Sequence, residues 1–297
     1  MRKMIYTLVL GLSFTTSAMD TVTVHTAEQL IDSIQSNRLI LLEPGVYDVS
    51  LAPQISKLNL EKELRDAPVT ESLLYSSGVG IVFNQVKNVT IKGLGETPDL
   101  NQLVTGNPND YVFAFLGCVN IRLVNLEAQY DVNKSGKRKA GSWLFNQCNG
   151  VDIENNKLTR GVVGITARRS KNITVTNSSI SECSSGIVDL KDSWSVKFGN
   201  CIFQNNWACQ SMWTMSRCTD VTVEDCIFTE NKRKESRSCN HGKMFTISRC
   251  EMVVFKGNTI KGNNCPYLGD SETVKLITAN NVMKRNKFIA MVPPKNM

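Results

Sequence analysis

Cys218-Thr-Asp-Val-Thr-Val-Glu-Asp-Cys-Ile-Phe228 is rewritten one stretch later as Cys250-Glu-Met-Val-Val-Phe-Lys-Gly-Asn-Thr-Ile260. Each copy places apolar side chains at alternate positions, Val221 and Val223 in one, Val253 and Phe255 in the other, then a polar turn and a further apolar residue. A period of two over so short a run marks a strand with one buried face. Taking the first buried residue as an anchor, the pattern extends back through the chain. The anchors are Val89, Ile121, Val151, Ile173, Val196, Val221 and Val253, at spacings of 32, 30, 22, 23, 25 and 32 residues.

Counting from each anchor sorts the remaining residues. Two positions on stand Ile91, Leu123, Ile153, Val175, Phe198, Val223 and Phe255, and seven on stand Leu158, Ile180, Phe203, Phe228 and Ile260. Eight and six positions before it lie Ile81/Phe83, Phe113/Phe115, Trp143/Phe145, Ile165/Ala167, Val188/Leu190, Trp213/Met215 and Phe245/Ile247. Each repeat therefore has three short strands. The same positions stay apolar in every repeat only if the chain winds so that equivalent residues stack about 4.8 Å apart in parallel sheets around one interior. The predicted fold is all-β: a single-domain right-handed parallel β-helix of three-stranded coils over about 38–290. Four or five residues past the anchor the turn is repeatedly Asn, as at Asn155, Asn156, Asn177, Asn200 and Asn258, because Asn tolerates the left-handed backbone of a tight bend. The sequons at Asn88, Asn172 and Asn177 are read as turn residues before glycosylation sites.

The ends differ from the repeat. Thr26-x-x-Gln29 opens a capping helix over about 26–35, with Ala27, Leu30, Ile31 and Ile34 on its apolar side, placed to cover the open end of the stack. The register slips after Asn280, so the last coil, Val282 to Phe288, is expected to be irregular and to act as the C-terminal cap. Ahead of the helix, Arg2 and Lys3 precede an apolar run, Met4 to Leu12, and small residues ending at Ala18, the layout of a secretory signal peptide. Residues 1–18 are then a leader and 19–297 a secreted or periplasmic β-helix domain. No stretch reaches the roughly 20 apolar residues that a membrane-spanning helix needs.

A formal charge of +7 is a mild bias towards anionic partners such as an acidic polysaccharide or other carbohydrate, and is too small to imply nucleic acid. Only two histidines, His25 and His241, are available for chemistry. Nothing in the pattern asks for a second copy, so a monomer is expected.

The capping helix, the entry Leu41-Leu-Glu-Pro-Gly-Val-Tyr-Asp48 and the repeated coils resemble the pectate-lyase-like parallel β-helix superfamily, across nearly the whole exported chain. Resemblance to that group implies architecture more than chemistry, since it includes lyases, polygalacturonases, epimerases, tailspikes and coils with no assigned activity. It also implies a cleft over the strand that carries Phe113/Phe115 and Val188/Leu190. Polygalacturonases resemble one another through paired acids along this cleft. The present chain has only Asn240-His241-Gly242-Lys243 and no adjacent Asp pair, so inverting hydrolysis lacks its acid and base. The acidic cluster that holds calcium in many pectate lyases is not evident either, because Asp189 and Asp192 stand apart from other carboxylates. No cofactor and no metal site is expected.

On the cleft strand the outward positions are Val82/Asn84, Ala114/Leu116, Leu144/Asn146, Thr166/Arg168, Asp189/Lys191, Thr214/Ser216 and Thr246/Ser248. Charge appears in two neighbouring coils only. Arg168 and Lys191 share a column about 4.8 Å apart, with Asp189 on the same face. Stacked like charges would lower the proton affinity of Lys191 and Asp189 would partly restore it, so Lys191 is a candidate base for β-elimination, with Arg168 neutralising a uronate carboxylate. The same three residues also read as an ordinary surface ion-pair patch. Two inserted loops, carrying Lys134, Lys137, Arg138 and Lys139 in one and Lys232, Arg233, Lys234 and Arg237 in the other, would wall this floor with positive charge, or are simply solvated. Trp143 and Trp213 fall in inward columns; Trp194 and Trp207 sit at turns, with Trp207 the better stacking candidate.

Among the ten cysteines, Cys118, Cys148, Cys218 and Cys250 share one inward column, and Cys201 and Cys226 another. Stacking at about 4.8 Å is too wide for a bridge, so these six are read as small interior packers. Cys183, Cys209, Cys239 and Cys265 are expected to pair. The function so read is a secreted β-helix that binds an acidic polysaccharide, with its cleavage by β-elimination left open; the alternative is a non-catalytic surface, adhesion or structural scaffold.

Overall fold

A computed structural model describes residues 19–51, 79–107, 111–131, 140–233 and 242–294. The leader and most of both basic loops lie outside the described residues. Among those described, the strands form three sheets of nine, eleven and nine members whose neighbours run parallel. Coil after coil contributes one strand to each sheet. The anchors stand in one register, Val89 to Ile121 to Val151 to Ile173 to Val196 to Val221 to Val253. The same holds for Ile81, Phe113, Trp143, Ile165, Val188, Trp213 and Phe245 in the first sheet, and for Leu158, Ile180, Phe203, Phe228 and Ile260 in the third. The second sheet, of anchors, reaches two strands further, through Arg38–Leu42 to Asp20–Val24.

Inward side chains from all three sheets form one continuous apolar core. Aromatic rings dominate it in two blocks. Phe83, Phe115 and Phe145 stack at centroid distances of 4.5 and 5.1 Å, and Trp213 is surrounded by Phe198, Phe203, Phe228 and Phe255. Between the blocks the first sheet holds Ile165, Ala167, Val188 and Leu190. The outward side of those same two coils carries the charged residues.

The corner after the anchor uses left-handed backbone in six of the seven anchored coils. The position four past the anchor has positive φ at Asn125, Asn155, Asn177, Asn200, Asp225 and Gly257, while the next position turns inward. Asn156 and Asn258 are therefore not bend residues, as the sequence suggests, but buried ladder members, 2% and 0% exposed. A second ladder runs at the third corner, where Asn206, Asn231, Asn263 and Asn286 pass side-chain hydrogen bonds of 2.9, 2.9 and 3.0 Å along the axis. Each interior amide accepts from a corner N–H of the preceding coil and donates to a strand carbonyl there, so the corner N–H is not left without a partner. Asn88 donates to Asn37 at 2.7 Å and accepts from Asn120 at 3.0 Å, and Asn172 donates to Asn149 at 2.8 Å, so the amide nitrogens of two sequons are held in the turns.

The N-terminal helix is Ala27–Asp32, with the Thr26 hydroxyl accepting from the Gln29 amide at 3.2 Å. Gln29 reaches back to the N–H of His25, one residue earlier than a standard capping box. The C-terminal end departs from the sequence reading. A helix, Ser271–Ala279, capped by Asp270 through a 2.9 Å bond to the Thr273 N–H, packs against the last long strands of the first and second sheets. After it the coil resumes in regular register, Val282–Lys284 beside Thr259–Lys261 and Lys287–Ala290 beside Asn264–Tyr267. The apparent slip at Asn280 is this helix standing in for a second-sheet strand. Among the described residues no helix is long and apolar enough to cross a membrane.

Five of the six stacked cysteines are buried packers as read, while Cys250 is half-buried; the thiols of Cys118 and Cys148 donate to the carbonyls of Phe83 and Phe115 in the preceding coil at 3.2 and 3.3 Å. Cys209 is disulfide-bonded. Cys239 lies outside the described residues. Cys183 and Cys265 keep their thiols, contrary to expectation. Both point into the coil, Cys183 stacking in the column of Asn206 and Asn231, where the next residue along the axis is an amide and not a thiol.

Candidate functional site

The outward face of the first sheet is ordered as the sequence implies. Val82, Ala114, Leu144, Thr166, Asp189, Thr214 and Thr246 form one row, and Asn84, Leu116, Asn146, Arg168, Lys191, Ser216 and Ser248 the next. Its two halves are unlike. Ala114, Leu116 and Leu144 are buried with Tyr111 and Ala140 in a second apolar cluster outside the main core. Asn146 and Thr166 are also buried. From Arg168 onward the face opens, and Lys191 is exposed. The open floor is therefore only the half towards the C-terminus. Sequence alternation assigns these positions outward without saying that half of them are covered; the apolar character of Val82, Ala114, Leu116 and Leu144 is the signal that was there to be read.

Within the charged trio the pairing is specific. The Arg168 guanidinium binds the Asp189 carboxylate and also donates to the Asp189 carbonyl at 2.9 Å and to that of Ala167 at 3.2 Å. Its side chain is only 15% exposed. Arg168 thus turns from its register partner Lys191 towards the acid one row over, which relieves the like-charge stacking the sequence implies. Tyr111 adjoins the pair: its phenol is hydrogen-bonded to the Thr166 side chain, and burial, reinforced by Asp189, pushes its pKa up. Lys191 has no ion-pair partner among the described residues, and hydroxyls flank it, since Ser216 is its register partner and Thr214 that of Asp189. Among the described residues no group of three or more His, Cys, Asp or Glu comes together that could hold a metal ion.

With this geometry in place the chain can be compared with known proteins. The family described as right handed beta helix region matches residues 129–289. The chain belongs to that family. Among solved structures, this β-helix protein is similar to an alginate lyase from Paenibacillus sp. str. FPU-7, with a TM-score of 0.46 and 11% identity over 90% of this chain and 95% of that one. A likeness so distant assigns no chemistry to individual residues. No curated protein sequence matches significantly.

The other predicted site residues of the β-helix protein are scattered. Trp207 and Lys232 come together, in register on short strands Trp207–Ala208 and Lys232–Arg233 that extend the first sheet. Trp207 is 39% exposed. Lys134, Lys137, Arg138, Lys139, Lys234 and Arg237 lie outside the described residues. At the corner beyond Lys191, Asp192 is gripped by Arg217 in two bonds of 2.5 and 2.9 Å, which hold the Asp192 carboxyl below the ordinary carboxylate range. Around that corner a groove of about 500 Å³ opens beside Trp194, lined also by Asp192, Arg217, Thr219, Asp220 and Met252. Trp194, which the sequence reading ranked behind Trp207 as a stacking candidate, is the indole that borders this groove.

Proposed function

We propose that this β-helix protein binds an acidic polysaccharide along the open half of the first-sheet face, with Lys191 as the cation that meets its carboxylates. One observation carries the reading. The two outward rows of the first sheet carry two cations, Arg168 and Lys191, and Arg168 is already matched by Asp189. Lys191 stands exposed and unmatched on a floor whose neighbours, Thr214, Ser216, Thr246 and Ser248, present hydroxyls suited to hydrogen bonding with sugar hydroxyls. Export through the leader at 1–18 belongs to the same proposal.

Cleavage by β-elimination is the second reading. Lys191 lies in register beside Arg168, where an amine could take the proton next to a uronate carboxylate. Arg168 would have to share its guanidinium between Asp189 and the substrate. Incubation with alginate, pectate and glycosaminoglycans, followed at the absorbance of unsaturated uronate products, tests it. Product formation abolished by Lys191→Ala supports elimination; retention without product leaves a binding protein.

For binding itself, Lys191→Ala is expected to weaken retention on an acidic polysaccharide about two- to fivefold at low salt, the scale of one exposed ion pair. The difference should shrink as salt rises, because the screening length falls to about 10 Å near 0.1 M. Absence of retention by the wild-type protein on any acidic polysaccharide would leave the scaffold reading. Joint substitution of Lys134, Lys137, Arg138 and Lys139 by alanine tests the basic wall separately: unchanged retention would remove it from the site.

A further inference from the structure

Trp194 opens the second-sheet strand Trp194–Gly199 with its indole 44% exposed, whereas Trp143 and Trp213 are fully buried. Its register partners are Lys171 in the coil before and Thr219 in the coil after. The Lys171 ammonium lies 5.5 Å from the ring centroid, a cation–π contact that occupies the side of the indole towards the preceding coil. On the other side the neighbour is the small Thr219, and the residues bordering the groove there, Arg217, Asp220 and Met252, all come from later coils. One side of the ring is taken and the opposite side faces about 500 Å³ of open groove.

The polar groups around that space are fixed in advance. Arg217 and Asp192 form a planar bidentate pair, and the Ser195 hydroxyl donates to Asp220 at 2.9 Å. Within the lining, Arg217 is matched by Asp192 and Asp220 accepts from Ser195, while Lys191 and Arg169 lie close enough to act on Asp192 as well. A flat apolar surface beside polar groups already held by hydrogen bonds fits a pyranose ring, which stacks its C–H face on an indole and presents hydroxyls at its edge. It suits neither a bare anion nor a hydrocarbon. Lys191 and Trp194 are three residues apart, hence no more than about 11 Å between α-carbons.

We infer that Trp194 is the stacking platform of a second sugar subsite, around the corner from Lys191, holding a pyranose ring of the same acidic chain whose carboxylate Lys191 meets. This inference rests on the polysaccharide-binding reading above. Calorimetry and tryptophan fluorescence on the full-length protein, titrated with oligosaccharides of alginate and of pectate, test it. Trp194→Ala is expected to weaken binding about tenfold, with partial recovery in Trp194→Phe. Thr219→Phe, which fills the groove and leaves Lys171 and Trp194 in place, should weaken it comparably. The ligand-induced fluorescence change of the wild type should vanish in Trp194→Ala. Wild-type affinity in both Trp194→Ala and Thr219→Phe, together with weakened binding by Lys191→Ala, would overturn the subsite and leave the first-sheet reading standing. No binding of either oligosaccharide by the wild type would overturn both.

Discussion

Replacing Asn231 by alanine is expected to destabilise the protein by about 3–6 kcal/mol, read as a fall in the urea midpoint. Asn231 is fully buried, and its amide serves four partners. The nitrogen donates to the Phe203 carbonyl and to Asn263 Oδ1, both at 2.9 Å, and the oxygen accepts from the backbone N–H and the side chain of Asn206, at 3.1 and 2.9 Å. Alanine leaves the Asn206 N–H in the interior without its partner, at about 1–3 kcal/mol, and removes three further hydrogen bonds, to the Phe203 carbonyl, Asn263 and the Asn206 side chain, at about 1 kcal/mol each. The lesion sits in mid-stack, so it interrupts the ladder on both sides, and in a solenoid where each coil leans on its neighbours the transition should also broaden. A loss below about 1 kcal/mol would mean that water had taken the place of the amide.

The second large effect is expected at Trp213. Trp213→Ala should cost about 3–5 kcal/mol, the range for emptying a fully buried aromatic site, whereas Trp213→Phe should cost markedly less. The indole is the hub of the C-terminal aromatic block, with ring centroids of Phe198, Phe203, Phe228 and Phe255 at 4.8, 5.2, 5.7 and 6.3 Å. These rings come from the second and third sheets, facing Trp213 on the first, so the cavity left by alanine cannot close by a shift of one strand. Equilibrium denaturation measures the loss, and near-ultraviolet circular dichroism should show a weakened aromatic signal before any loss of sheet. Equal stability of the alanine and phenylalanine variants would show that the core collapses into the space, contrary to this packing.

The coils themselves were legible because burial and register are one constraint in a parallel stack. A slip of one residue would turn Val221 and Val223 outward together, so the apolar alternation had to coincide with strand pairing in every coil. For the same reason the outward rows of the first sheet could be written down residue by residue. The C-terminal helix could not be found by that counting, because Ser271–Ala279 obeys a different period, although Asp270 with Thr273 after it was a readable N-cap.

What the chain determined by itself is the β-helix: its seven anchored coils, the identity of the inward columns, and which side chains share the face with Lys191. Local alternation suffices for this, since each coil repeats the decision of the last. Only the tertiary structure decided that half of that face is covered, that Arg168 turns to Asp189 and not to Lys191, and that Lys171 closes one side of Trp194 while Thr219 leaves the other open. These are choices of rotamer, partner and cover between coils 21 to 25 residues apart. Alternation fixes only the direction in which a side chain leaves the sheet; the partner it meets depends on what the neighbouring coil places within reach.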